Sequence, residues 1–320
     1  MKPAMRRVAL IYNPASGQYS ARRKAAVDQV LAVFREAGVT AEAFETKEAG
    51  EATVHAQRAV SQGCDAVLAC GGDGTVHEIV QSLVGTDVAL GVIPLGTANA
   101  LASDLGLVGA PAKVARKLLQ ATPERISVGR IHYQDQAGNP DSRYFVVAAG
   151  IGPDALVMSR MDAGLKRRLG YVLYLIECFR TWATFSFPLF EAALPANGHG
   201  AGRVVDVSQL LAVRVRSFGG VLGMLAPGAS LNNGNLRLLA FKTQSRLQYL
   251  KFLLAALAGR HTFNGAVELL KTPSIDCRAH NGALESLLVE ADGEVLGSLP
   301  VRLEVVPHSL SLLVPPGAQP

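Results

Sequence analysis

Long apolar runs are missing from this sequence: no stretch approaches the ~20 residues that an α-helix needs to cross a bilayer. Cysteine is scarce as well. Cys64, Cys70, Cys178 and Cys277 form no CxxC pair and have no metal-like spacing with histidine, which sets aside a zinc site or a disulfide framework and makes a reducing cytoplasm the simplest compartment. Met1 to Arg7 lead at once into a short strand-like run ending at Asn13-Pro14, so no signal-peptide core is expected. Internal repeats and low-complexity tracts are absent. Charge is modest too: 31 Lys and Arg face 26 acidic residues, a net +5 without the clustering typical of nucleic-acid binders, so no nucleic-acid partner is expected, whereas an anionic membrane surface is compatible. With 49% hydrophobic and 18% charged residues, the 320-residue chain excludes disorder and suits two domains.

What is present is organised around Gly71-Gly72-Asp73-Gly74-Thr75, between an apolar strand-like run, Asp65 to Cys70, and a helix-like run from Val76. Three glycines in five positions let the backbone turn sharply and approach a ligand, and the following helix would offer free N–H groups and its positive dipole end to an anion. Asp73 would repel bare phosphate. It makes sense beside a bridging divalent cation or as a proton acceptor. The Lys-Ser/Thr of a Walker loop is absent, and so is GxGxxG. The competing reading of Thr75 and Glu78 is a capping box that only starts the helix.

Around this turn the pattern predicts β-α-β-α-β: strands Val8 to Tyr12, Thr40 to Thr46 and Asp65 to Cys70 alternate with helices Ser20 to Ala37 and Glu51 to Gln62. A helix Val76 to Val84, a strand Val88 to Ile93 and the turn Pro94 to Asn99 into another helix follow. Such alternation implies a parallel sheet covered on both faces, with ligands beyond the strands' carboxyl ends. From about Ile126 short alternating runs (Ile126 to Tyr133, Tyr144 to Ala149, Val204 to Phe218, Leu236 to Phe241, Val267 to Lys271) predict an antiparallel sheet domain. Two apolar helical stretches interrupt it, Leu165 to Trp182 and Arg246 to Leu257. Core packing is their expected use, a membrane-facing surface the alternative. Asp292-Gly293 between two strand-like runs reads on pattern alone as a hairpin turn.

Taken in order, Asn13-Pro14-x-Ser16-Gly17, Gly71 to Thr75 with Glu78, Pro94-Leu95-Gly96-Thr97-Ala98-Asn99, Gly150-Ile151-Gly152-Pro153-Asp154-Ala155 and Asp292-Gly293-Glu294 with Gly297 and Pro300 resemble the signature of the diacylglycerol kinase catalytic-domain family, which includes bacterial soluble lipid kinases and sphingosine kinases. The resemblance runs from Val8 to Pro315. It implies an amino-terminal Rossmann-like α/β domain for ATP (residues 1–124, with 307–320 returning to it) and a carboxyl-terminal antiparallel β-sandwich for the lipid acceptor (125–306), the cleft lying between them. It implies ATP-dependent phosphorylation of a diacylglycerol-like lipid hydroxyl by a cytoplasmic enzyme peripheral to the membrane, with a homodimer admissible. Asn13, Pro14, Ser16, Gly17, Thr46, Gly71, Gly72, Asp73, Gly74, Thr75 and Thr97 resemble nucleotide contacts. Asp73 would arrange the Mg²⁺-bound phosphates through water, and Glu294 would accept the hydroxyl proton.

The chain also departs from the family pattern. Some members hold a structural Mg²⁺ in the segment matching Ala226 to Leu236, where aspartates are usual. Here Ser230, Asn233 and Asn235 are the corresponding positions, and neutral amides bind a hard dication more weakly than carboxylates do. The stretch from Arg214 lacks the usual Asn-Gly, and Arg214 and Arg216 read either as favouring an acidic head group or as an exposed strand face. Arg23 and Lys24 are candidates for phosphate contact against a solvated helix face. An NAD kinase, which shares the Gly-Gly-Asp-Gly-Thr turn, and a catalytically inactive nucleotide-binding regulator are the competing functions.

Overall fold

The computed structural model describes residues 5–14, 20–135, 137–160, 171–196, 202–218, 226–257, 265–280 and 287–320. Two compact units emerge, Met1–Ser127 with Pro307–Pro320, and Val128–Val306.

The first unit is α/β. Its chain runs β1 (Arg7–Tyr12), α1 (Ser20–Glu36), β2 (Thr40–Glu45), α2 (Glu51–Ser61), β3 (Ala66–Gly71), α3 (Asp73–Leu83), β4 (Ala89–Pro94), α4 (Ala100–Asp104) and α5 (Pro111–Leu119). The strands are parallel, with β1 between β2 and β3 and with β4 on the far side of β3. β3 is buried at every position, as a strand covered on both faces must be. The path steps from β1 to β2 and then reverses to β3 and β4, so right-handed crossovers place α1 on one face and α2 and α3 on the other. α1 packs with α5, and α2 with α3. The reversal leaves a crevice at the carboxyl ends of β1 and β3, where ligands of such sheets bind.

The second unit is antiparallel and β-rich. It contains most of β5 (Thr122–Gln134), then β6 (Pro140–Phe145), β7 (Ala148–Ile151), α6 (Pro153–Arg160), α7 (Tyr171–Thr184), β8 (Phe190–Leu194), β9 (Arg203–Val207), β10 (Gln209–Val213), β11 (Leu236–Phe241), α8 (Arg246–Leu257), β12 (Val267–Thr272), β13 (Ser274–Ala279), β14 (Leu288–Ala291) and the greater part of β15 (Glu294–Val314). One path of neighbours runs β12-β11-β10-β7-β14-β15, a second β9-β8-β13-β15, and β5 pairs with β6. Ile131, Phe145, Ile151, Phe190, Val207, Leu238, Val289 and Leu303 share one core. β15 continues into the first unit, where Leu312 pairs in parallel with Leu90.

Two expected runs are broken. Val204 to Phe218 divides at Ser208, whose N–H donates to the Phe241 carbonyl (2.7 Å) and whose hydroxyl also reaches the Thr243 carbonyl (2.5 Å), fixing a bend between β9 and β10. Tyr144 to Ala149 divides where the N–H groups of Val146, Val147 and Ala148 turn to the Asp292 carboxylate (2.9, 2.8 and 3.1 Å) instead of a strand. Of the apolar stretch predicted from Leu165, residues 165–170 lie outside the described segments. α7 and α8 are each buried in part and exposed in part. Thr181, Tyr249 and Phe252 are buried, while Ile176, Phe179, Leu247 and Leu254 are exposed.

The capping box is corrected. α3 begins at Asp73, with Gly72 as its N-cap and no side-chain cap, so Thr75 already lies in the first turn. Glu78 serves another helix: its Oε2 accepts the N–H groups of Gly50 (3.0 Å) and Ala52 (3.1 Å), closing the start of α2. Removing such a cap costs about 1 kcal/mol. We therefore expect Glu78→Ala to lower the urea midpoint by that equivalent with an unchanged m-value; an unaltered midpoint would show the contact to be idle.

Candidate functional site

The sheet delivers most of the predicted nucleotide residues to one edge. Asn13 and Pro14 follow β1, Thr46 follows β2, Gly71 to Thr75 follow β3, and Thr97 follows β4. Ser16 and Gly17 lie outside the described residues. Thr46 is buried, with its N–H on the Tyr12 carbonyl at 2.9 Å, which ties the ends of β1 and β2 together. Thr97 is exposed.

The turns after β3 and β4 are in contact. Gly71 pairs with Pro94, and the Leu95 N–H donates to the Gly71 carbonyl at 2.9 Å. A methyl on Gly96 would lie 2.5 Å from the Gly72 Cα and 2.8 Å from the Asn99 Oδ1. Glycine is therefore a steric requirement here. Asn99, at φ 51°, closes the second turn on itself: its Oδ1 accepts the Gly96 N–H (3.0 Å) and its Nδ2 donates to the Gly96 carbonyl (2.8 Å). The two turns are then joined by Asp73, whose Oδ1 accepts the Ala100 N–H at 2.8 Å.

Arg23 has a role that sequence reasoning missed. Its guanidinium donates to the carbonyls of Asn13 (3.1 Å) and Leu95 (2.8 Å), so it holds the turns after β1 and β4 rather than lying on a solvated face. Partial burial depresses its pKa. No local pattern distinguishes it from Arg22, because its partners are 10 and 72 residues away.

In the second unit Glu294 opens β15 directly after a two-residue turn. Asp292 and Gly293 have φ 49° and 87°, and Ala291 pairs with Glu294, the arrangement of a type I′ hairpin. The Asp292 carboxylate, besides allowing the turn, fastens it to the 146–148 backbone. Glu294 itself is exposed. Beneath the hairpin lie two further carboxyls. Glu290 Oε2 accepts the Gly293 N–H at 2.7 Å, and the point where a Cβ on Gly150 would stand is 1.6 Å from Asp154 Oδ2 and 2.9 Å from Glu290 Oε1.

Asp154 keeps some exposure as a residue, but its carboxyl oxygens are out of reach of water and have no well-formed hydrogen bond. Burial, only partly offset by the N–H groups of Ala155 and Asp154 and the Gln209 side chain, pushes it up to about 6. Burial and the neighbouring Asp154 push Glu290 well above the usual carboxylate range. Raised folded-state values favour the protonated forms, so the associated stability is complete below the ordinary carboxylate pKa and is lost as pH rises through about 6 and beyond. We expect the melting temperature to fall as pH rises from the ordinary carboxylate range through about 6, and Glu290→Gln to flatten that fall by removing one titrating partner; equal slopes in the two proteins would refute the assignment.

Ser230, Asn233 and Asn235 lie on the loop before β11. The Asn233 Nδ2 donates to the Gly228 carbonyl at 3.1 Å, and the Ser230 Oγ accepts the Asn232 N–H at 3.2 Å. Among the described residues no group of three or more His, Cys, Asp or Glu could hold a metal. Arg214 is not on an exposed strand face; it is fully buried.

Comparison with known proteins agrees with this geometry. Residues 7–131 match the diacylglycerol kinase catalytic domain and residues 146–314 the YegS C-terminal NAD kinase beta sandwich-like domain. The chain is 29% identical to a diacylglycerol kinase of Bacillus subtilis over 92% of each chain. It is 31% identical to a "Probable lipid kinase YegS-like" of Chromohalobacter salexigens over 97% of this chain and 93% of the relative. A solved structure of a diacylglycerol kinase from Bacillus anthracis superposes with a TM-score of 0.70 at 20% identity, covering 99% of this chain and all of the other.

The contact between the two glycine turns can be tested directly. Overpacking of this kind costs about 1–3 kcal/mol. Gly96→Ala is expected to weaken nucleotide binding by at least about tenfold in calorimetry through displacement of the Gly72 turn, whereas Gly265→Ala, with open space around it and no positive φ, is expected to leave it unchanged.

Proposed function

We propose that this chain, which belongs to the family of lipid kinases that join a diacylglycerol kinase catalytic domain to a YegS-type carboxyl-terminal sandwich, transfers the γ-phosphate of ATP to a diacylglycerol-like lipid hydroxyl. The observation that carries this reading is the pair of abutting glycine turns at the carboxyl edge of the parallel sheet, after β3 and β4, beside the N-terminus of α3, which has no side-chain cap, with the Asp73 carboxylate fixed between them. Backbone N–H groups and a helix end suit a polyphosphate.

A single carboxylate among backbone amides fits a Mg²⁺ that keeps most of its water and binds mainly through phosphate oxygens, with Asp73 as the residue that would hold it. Bound there, Mg²⁺ would neutralise charge on the transferring phosphoryl group. The protein's part is to position and to move one proton. As the acceptor oxygen bonds to the γ-phosphorus and the bond to the β-phosphate oxygen breaks, releasing ADP, the hydroxyl proton passes to the Glu294 carboxylate. Glu294 stands on a hairpin held through Asp292 and Glu290, so its backbone is fixed although its side chain is exposed.

A lipid acceptor also implies peripheral contact with a membrane, and a cytoplasmic enzyme. Exposed Ile176 and Phe179 on α7 and Leu247 and Leu254 on α8 support such contact, and no helix among the described residues is long and apolar enough to cross a bilayer. The sandwich match to an NAD kinase-like domain keeps NAD as the competing acceptor.

Labelled ATP, Mg²⁺ and mixed lipid micelles should yield labelled lipid, and Glu294→Gln should lower kcat by about 10²- to 10⁴-fold with little change in the KM for ATP. An undiminished rate in that variant would remove Glu294 as the base. Labelled NADP would replace the acceptor, and nucleotide binding without turnover on any lipid would leave a regulator.

A further inference from the structure

Arg214 is the largest fully buried side chain among the described residues, at 0% exposure, and it follows β10 directly. A buried guanidinium is costly unless its donors are satisfied. Its two Nη groups donate to three carbonyl oxygens of one loop. Nη1 donates to Asn235 at 2.8 Å, and Nη2 donates to Asn233 at 3.0 Å and to Leu231 at 3.1 Å. Desolvation lowers its pKa to about 10, which leaves it charged at neutral pH.

Two further carbonyls of this loop also accept N–H donors. The Pro227 carbonyl accepts from Arg237 Nε at 2.8 Å, and the Gly228 carbonyl accepts from the Asn233 amide at 3.1 Å. A hard divalent cation needs several oxygens converging on one point, some of them anionic. Here the converging oxygens are neutral, and a fixed positive charge already stands among them. The asparagines at 233 and 235 are consistent with that charge. They contribute carbonyls to a monovalent guanidinium without adding carboxylates that would over-compensate it.

We infer that Arg214 is the resident cation of the 226–235 loop, its fork of N–H donors holding the Leu231, Asn233 and Asn235 carbonyls in the place where a divalent metal would otherwise gather them, so that the acceptor unit of this enzyme is built without a metal ion. On the kinase reading above, the requirement for Mg²⁺ then belongs to the donor side alone. Arg214 is neither a head-group contact nor a surface charge.

The test reads stability rather than turnover, so it is independent of the kinase assignment. With full-length protein and no nucleotide, melting temperatures are measured in EDTA and in Mg²⁺. Wild type and Asn233→Ala should show the same response to Mg²⁺. Arg214→Met should melt at least about 5 °C lower, because three carbonyls, that of Leu231 buried and those of Asn233 and Asn235 partly buried, lose their donors, and Mg²⁺ should not restore it. Arg214→Lys, which keeps the charge but loses the planar fork, should fall between the two and remains informative if the Met variant does not fold. A Mg²⁺-induced rise that Asn233→Ala abolishes, a rescue of Arg214→Met by Mg²⁺, or an Arg214→Lys variant as stable as wild type would each overturn the inference.

Discussion

The contact between Gly72 and Gly96 is the constraint on which the strand-end edge of the first unit depends. Parallel strands that are neighbours in a sheet end at the same edge, and the turns leaving β3 and β4 compete for the space above them. The second turn cannot carry a side chain where they meet, since a Cβ on Gly96 would stand 2.5 Å from the Gly72 Cα. Once that space is closed by backbone, Asp73 comes within hydrogen-bond reach of the next helix. Its carboxylate then orders two turns instead of one. Arg23 completes the frame from the other side by holding the turns that follow β1 and β4. Three strand ends are thus joined by one carboxylate, one guanidinium and a pair of glycines.

A related economy governs the second unit. The hairpin carrying Glu294 is short and is specified locally by Asp292 and Gly293 at positive φ. A two-residue turn alone does not fix where its ends point. The Asp292 carboxylate supplies that by taking three successive N–H groups from residues 146–148, and Glu290 supplies it again from below through Gly293. The result is an exposed carboxylate, Glu294, on a fastened backbone.

These two arrangements also show what sequence can and cannot carry. Both turns were readable because glycine and Asp-Gly signals are local, and the alternation of strands and helices fixed the sheet edge on which Asn13, Thr46, Gly71 to Thr75 and Thr97 lie. Ser208 and the 146–148 segment interrupt strands by long-range hydrogen bonds that no local pattern announces. Glu78 was misassigned for the same reason: its spacing from Thr75 satisfies a helix-start pattern, yet its partners stand 26 and 28 residues back. The burial of Arg214 was the least legible feature. An arginine in a β-rich segment reads as a solvent-facing charge until the loop beneath it is seen to offer three carbonyls.

Charge placement links these observations. Three buried charged or carboxyl side chains act mainly on backbone: Arg214 on carbonyls, Asp292 on amides, Glu290 on one amide beside a second carboxyl. A charge satisfied by backbone dipoles needs no oppositely charged side chain, and the backbone is fixed in return. Such exchange favours loops whose geometry matters more than their composition. It also accounts for how Ser230, Asn233 and Asn235 can retain the loop without carboxylates: the shape is set by where the carbonyls must point, and a guanidinium with several N–H donors can direct three of them at once.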